Sequence, residues 1–185
     1  MRNFLVDTDV PFPTTVKDKP YSAEFERVIF EELDGESRGE YVFRGSVHRT
    51  SDGRTRKEFD MLSPDGTRLH LIVIQDTPNR VVHLLHPESI SRATIPLTEF
   101  IELNSGFALA GHDEKLGERL IEGIPCKGYR GSRGSSRITT LWVSEELGEA
   151  LIEENLVDGH AEDSLRIFNI NLTEPDLSLF VAFAE

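Results

Sequence analysis

Phe59-Asp60-Met61-Leu62-Ser63-Pro64-Asp65-Gly66-Thr67-Arg68-Leu69-His70-Leu71-Ile72-Val73-Ile74-Gln75 contains a complete antiparallel hairpin. On one side of Ser63-Pro64-Asp65-Gly66, Phe59 and Met61 alternate with Glu58 and Asp60. On the other side, Leu69, Leu71 and Val73 face one way while Ile72 and Ile74 face the other. A period of two is the strand signature, and an Asp-Gly step supplies the positive-φ positions that a tight reversal needs. Apolar residues on both parities of 67–75 predict a central strand covered on both faces.

The same punctuation recurs outward in both directions, at Asp34-Gly35, Asp52-Gly53 and Asp158-Gly159. Tyr21, Ala23, Phe25, Ile29 and Leu33 share a parity, with Val28 and Phe30 on the other, which predicts a strand that is bulged or buried on both faces. Tyr41, Phe43, Gly45 and Val47 alternate with Arg44, Ser46 and His48, and a further strand over 80–86 follows a turn at Thr77-Pro78-Asn79. Alternation fails between Pro87 and His112, where Thr98–Leu103 before Asn104-Ser105-Gly106 predicts one short helix. Strands resume at about 114–122, 124–130 and 137–143, with 131–136 as a loop. Residues 144–156 are helix or strand, with strand preferred after Ala150, and 165–172 is the last strand. Leu177, Leu179, Phe180 and Phe183 are expected to pack back on the sheet.

These elements predict a mainly β, α+β fold, a single curved antiparallel sheet forming an incomplete barrel, with one or two short helices over its concave face. Curvature follows because inter-strand twist accumulates with strand number. The expected organisation is an extended or disordered arm over 1–19 and one domain over 20–185.

A net charge of −13 repels phosphate backbones and anionic headgroups, which excludes nucleic acid as a natural partner. No apolar stretch approaches bilayer-spanning length. The basic run Arg49, Arg54, Arg56, Lys57 reads as a solvated hairpin tip, and the acidic groups at 31–36 and at Glu145, Glu146, Glu149, Glu153 and Glu154 read as turn and rim residues in water. The lone Cys126 excludes an internal disulfide and reads as a buried, inert thiol. The Asn171-Leu172-Thr173 sequon sits in a predicted strand and reads as incidental. Met1–Pro20 holds Asp7, Asp9 and three prolines where a signal peptide has an apolar core, so the chain as given lacks a signal peptide.

No nucleophile elbow, zinc-protease motif, P-loop or dinucleotide fingerprint is present. If the turn at 77–79 has three residues, His70 lies opposite His86, near Asp60 or Glu88. That pair is the weak candidate for zinc and for a metal-assisted hydrolase, but it lacks a third ligand at a diagnostic spacing. No cofactor is expected.

Leu116-Gly117, Ile121-Glu122-Gly123-Ile124, Cys126 and Gly128–Arg130 form one ordered set of residues. It continues through Leu141-Trp142-Val143, Glu146-Leu147-Gly148, Phe168-Asn169-Ile170, Pro175-Asp176 and Ser178-Leu179-Phe180. The set resembles the pattern of the outer-membrane lipoprotein carrier and receptor superfamily, the LolA/LolB/RseB-like proteins. That resemblance implies a periplasmic or otherwise extracytoplasmic, non-enzymatic half-barrel around an apolar cavity.

Tyr21, Phe25, Tyr41, Phe43, Phe59, Trp142 and Phe168 recur on inward parities and are the candidate lining of such a cavity. Two outcomes stay open. Either the concave face accepts a lipid or acyl chain, or it is filled and the domain is a cell-envelope sensor or protein-interaction module.

Overall fold

The computed structural model describes residues 16–32, 38–89, 91–104, 114–133 and 136–181. Among these residues, eleven strands run in one antiparallel sheet: β1 (Tyr21–Glu32), β2 (Arg38–Arg49), β3 (Thr55–Leu62), β4 (Arg68–Asp76), β5 (Val81–His86), β6 (Ser91–Pro96), β7 (Glu114–Ile121), β8 (Ile124–Arg133), β9 (Arg137–Ser144), β10 (Glu149–Val157) and β11 (His160–Asn171). Their spatial order is β6-β5-β4-β3-β2-β1-β11-β10-β9-β8-β7. The first and last strands are therefore neighbours in the middle, and β6 and β7 are the two open edges. The sheet does not close into a barrel, in keeping with the expected incomplete barrel.

Local chemistry sets the reversals. Asp158 and Gly159 both take positive φ, 50° and 79°, the geometry of a two-residue primed turn whose twist matches the strands it joins. Gly53 and Gly66 are likewise left-handed at their turns. The Asp34-Gly35 step, Phe183 and most of the 1–19 arm lie outside the described residues.

The ladder registers stack side chains in rows across the concave face. One row runs Leu71–Phe59–Gly45–Phe25–Ile167, and the next runs Leu69–Met61–Phe43–Arg27–Leu165. Gly45 is the gap that lets the rings meet: a Cβ there would lie 1.9 Å from the Glu58 carbonyl oxygen and 2.7 Å from Phe59 Cβ. Phe59 consequently packs edge-on against Phe25, with ring centroids 6.0 Å apart, and against Phe43 at the same distance. Burying each ring contributes roughly 1.5–3 kcal/mol, and each aromatic pair about 0.5–1.5 kcal/mol more.

The sheet curls enough for distant strands to touch. Glu122, in the β7–β8 turn near one edge, accepts a hydrogen bond from the backbone N–H of Asn169 on central β11 at 3.2 Å. Glu149 of β10 reaches Tyr21 on β1 and Arg49 on β2.

Among the described residues the α-helix is α1 (Leu97–Asn104), which starts two residues earlier than a Thr98 cap implies, and Leu97 and Phe100 join the core. It packs on β5 and β6. On the opposite, convex face a short 3-10 turn, Leu177–Phe180, lies against β3, buries Phe180 and accepts a hydrogen bond from Arg56 at the Leu179 carbonyl, 2.8 Å. Leu177 itself stays exposed.

Strand β6 lies where the alternation fails. Its residues are mostly exposed, so as an edge strand it needs no apolar period to form. In the ambiguous 144–156 stretch, 145–148 form a turn and the strand begins at Glu149, with Glu149–Val157 paired to both β9 and β11.

Candidate functional site

Six of the seven aromatic candidates belong to the core or pack against it. Tyr21, Phe25, Phe43 and Phe59 are at most 5% exposed, and Tyr41 is half-buried against the same core. Trp142, half-buried, packs against that core as well, whereas Phe168 lies on the other side because of a bulge. In β11, Ile167 pairs with Phe25 and Phe168 with Glu24, but the next registered pair is Ser22 with Asn171, so β11 carries an extra residue. Asn169 absorbs it at φ 53°. Ile170 thereby returns to the core while Phe168 stays on the convex face. A second bulge, in β10 between Ala150 and Ile152, sets Trp142 opposite Ile152, and both side chains pack against the core. The Trp142 indole is covered by the Arg119 guanidinium, 3.8 Å from the ring centroid.

The concave face also holds ions that the sequence reading assigned to water. Arg49 is fully buried, Lys57 is 4% exposed, and Glu149 and Glu153 are 8% and 2% exposed. Arg49 donates to the Lys19 carbonyl at 2.9 Å and the Leu147 carbonyl at 2.7 Å, lies 3.9 Å from Glu149 and stacks on the Tyr21 ring at 4.7 Å. The Tyr21 hydroxyl donates to Glu149. One row further along, Arg27 grips Asp163 through both carboxylate oxygens, with Nε–Oδ1 at 2.9 Å, and Asn155 donates to Glu153 at 2.9 Å.

Burial dominates the titration of this cluster. It pulls the Lys57 ammonium down to about 8, against the attraction of Glu149 and with the repulsion of Arg27. It also raises the Glu149 carboxyl, in spite of Lys57, Tyr21 and Arg49 beside it. The Tyr21 hydroxyl is raised well above its usual range by burial and by the neighbouring Glu149. Each of these residues shares a parity with a core position: Lys57 with Phe59, Arg49 with Val47, Arg27 with Phe25, and Glu149 and Glu153 with Leu151. That signal was present in the sequence and was overridden by side-chain charge.

The histidine pair does not form. The β4–β5 connection is a four-residue loop, because Asp76 pairs with Val81, and Arg80 takes φ 58° within it. With one residue more than a three-residue loop, His86 comes level with Leu71, and a slip of one residue puts the two imidazoles on opposite faces. His70 instead lies on the convex face between Asp60, 2.7 Å from Nδ1, and Glu58, 3.2 Å from Nε2. Among the described residues no group of three or more potential ligands could hold a metal ion. Cys126 is buried, and burial holds its thiol above the usual value against the opposing charge of Arg119.

That convex face bears an open groove of about 450 Å³ across β1, β2 and β3. Its lining includes Glu24, Glu26, Arg44, Ser46, Glu58, Asp60, His70 and Phe168. Arg44 pairs with Glu26 at 2.6 Å, and Arg56 with Glu58 at 2.6 Å. Burial pulls the Glu58 carboxyl up, but Arg56 and His70 outweigh it and hold it below its usual value, hence ionised.

No protein-family model matches the chain, and no curated protein matches its sequence. Among solved structures, an uncharacterised conserved protein from Thermus thermophilus superposes with a TM-score of 0.58 at 12% identity, over 98% of this chain and 91% of that one. MucB in the Pseudomonas aeruginosa MucA/MucB complex aligns at 0.47 and 14% identity, over 96% of this chain and 58% of that one, and a further MucB structure at 0.47 and 14%, over 99% and 62%. The chain thus spans about six-tenths of the MucB chains. The Thermus protein shares the fold, and that likeness carries no activity with it.

Proposed function

We propose that this chain is a non-enzymatic, extracytoplasmic protein-interaction module with a filled core. The observation that carries the reading is the packing of the concave face: Tyr21, Phe25, Phe43 and Phe59 are at most 5% exposed, and Glu149 is held among them by Tyr21 and Arg49. A trough that receives an acyl chain needs apolar walls left open, and these walls already face other side chains. The extracytoplasmic setting is supported by the ordered motifs from Leu116 to Phe180 that resemble the lipoprotein carrier superfamily. No helix among the described residues is long and apolar enough to cross a membrane.

A second reading, an apolar-ligand domain, is favoured by the gathering of aromatic rings on one face beneath a single described α-helix. Native mass spectrometry of protein purified without delipidation separates the two. The packed-core reading expects the bare chain mass and no saturable displacement of an apolar fluorescent probe. A lipid retained at one per chain, and lost on widening the face by Phe59→Ala, would replace it with the second reading.

A further inference from the structure

We infer that the groove on the convex face of β1, β2 and β3 docks a cationic, arginine-bearing peptide segment of a partner protein, an inference that rests on the interaction-module reading. The groove exists because of a small residue in the middle strand: Ser46 lies between Glu24 of β1 and Glu58 of β3 in one cross-strand row, and Phe168 extends that row on β11. The walls stand on either side of Ser46, and the adjoining row Glu26–Arg44–Asp60–His70 continues them. At about 450 Å³ the space falls within the range of ligand-sized clefts, roughly 300–1,000 Å³.

Charge selects the occupant. Four carboxylates, Glu24, Glu26, Glu58 and Asp60, face one guanidinium, Arg44, and one imidazole, His70. Glu26 is answered by Arg44, Glu58 by Arg56 and His70, and Asp60 by His70. Glu24 is exposed and has no ion-pair partner among the described residues. Directly across the ladder from it stands the half-buried ring of Phe168. A free carboxylate beside an aromatic face is the pair of contacts a guanidinium uses best, one charged and one stacked. The chain's own Arg166 lies 6.0 Å from that ring, the outer limit of such a contact. A lysine would gain the charge without the planar stacking. An anionic or purely apolar segment would leave the Glu24 carboxylate uncompensated.

Fluorescence anisotropy with fluorescein-labelled tetra-arginine, at physiological salt so that the overall field is screened beyond about 8 Å, tests the inference. Saturable binding is expected, weakened about tenfold or more by Glu24→Lys and several-fold by Phe168→Ala. Glu154→Lys makes the same change in net charge at an exposed position on β10, and it is expected to alter binding by less than about twofold. Far-UV circular dichroism checks that each variant is folded. Absence of saturable binding, equal weakening by Glu154→Lys and Glu24→Lys, or tighter binding of spermidine than of the peptide would overturn the docking site. A lipid-free protein that ignores the peptide removes the groove alone. A stoichiometric lipid on the concave face removes the packed-core reading, whatever the peptide does.

Discussion

Lys57 places an ammonium inside the aromatic core, its Nζ 6.0 Å from the Phe25 ring centroid. Its pKa falls from 10.5 to about 8, so between those values the unfolded chain holds more protons than the folded one. Stability is then full above 10.5 and is lost as the pH falls towards 8, with the charged form costing up to about 3 kcal/mol. Chemical denaturation should show stability rising from pH 8 to 9.5, and a Lys57→Met variant should flatten that slope. A slope unchanged by the substitution would place its source elsewhere. Glu149 works in the opposite sense: its raised pKa leaves stability full below 4.5 and removes it as the pH rises through the folded value. These charges were misassigned because charged residues near turns are usually solvated. Their parity with Phe59 and Leu151 held the correct answer, and only the surrounding strands show that the parity prevails.

At the scale of elements, the β1–β11 seam joins the two halves of the sheet, and Arg27–Asp163 is its buried ionic staple. Removing one partner strands a charge in the core, whereas replacing both with apolar residues of similar volume removes the desolvation cost along with the attraction. Arg27→Met alone is expected to cost about 3–5 kcal/mol, and Arg27→Met with Asp163→Leu to return most of that loss. Urea unfolding of the two variants and the parent measures the difference. A double variant as unstable as the single would mean that the pair is needed for more than mutual neutralisation. Strand positions were legible from alternation and Asp-Gly steps, but the bulges at Asn169 and at Ala150–Ile152 were not. A bulge adds one residue without altering composition, and it reverses the face of everything beyond it. Phe168 was misplaced for that reason, and the His70–His86 pair was lost to a single extra loop residue.

Across the whole molecule, the strand order puts the most widely separated segments at the centre and leaves β6 and β7 as edges. Amide hydrogen exchange should therefore be slowest in β1, β2 and β11, which are paired on both sides, and fastest in β6 and β7, which present unpaired backbone to solvent. Uniform protection across all eleven strands would indicate that the edges are covered. The sequence by itself determined that the chain is a succession of antiparallel strands too numerous to stay flat, because alternation and turn chemistry are local properties of the covalent chain. Which residues share a face, and therefore which charges are buried and where a groove opens, was decided only by the tertiary structure. Register depends on bulges and loop lengths that are fixed when distant strands pair, and the free energy of burial acts on the assembled face rather than on any one segment.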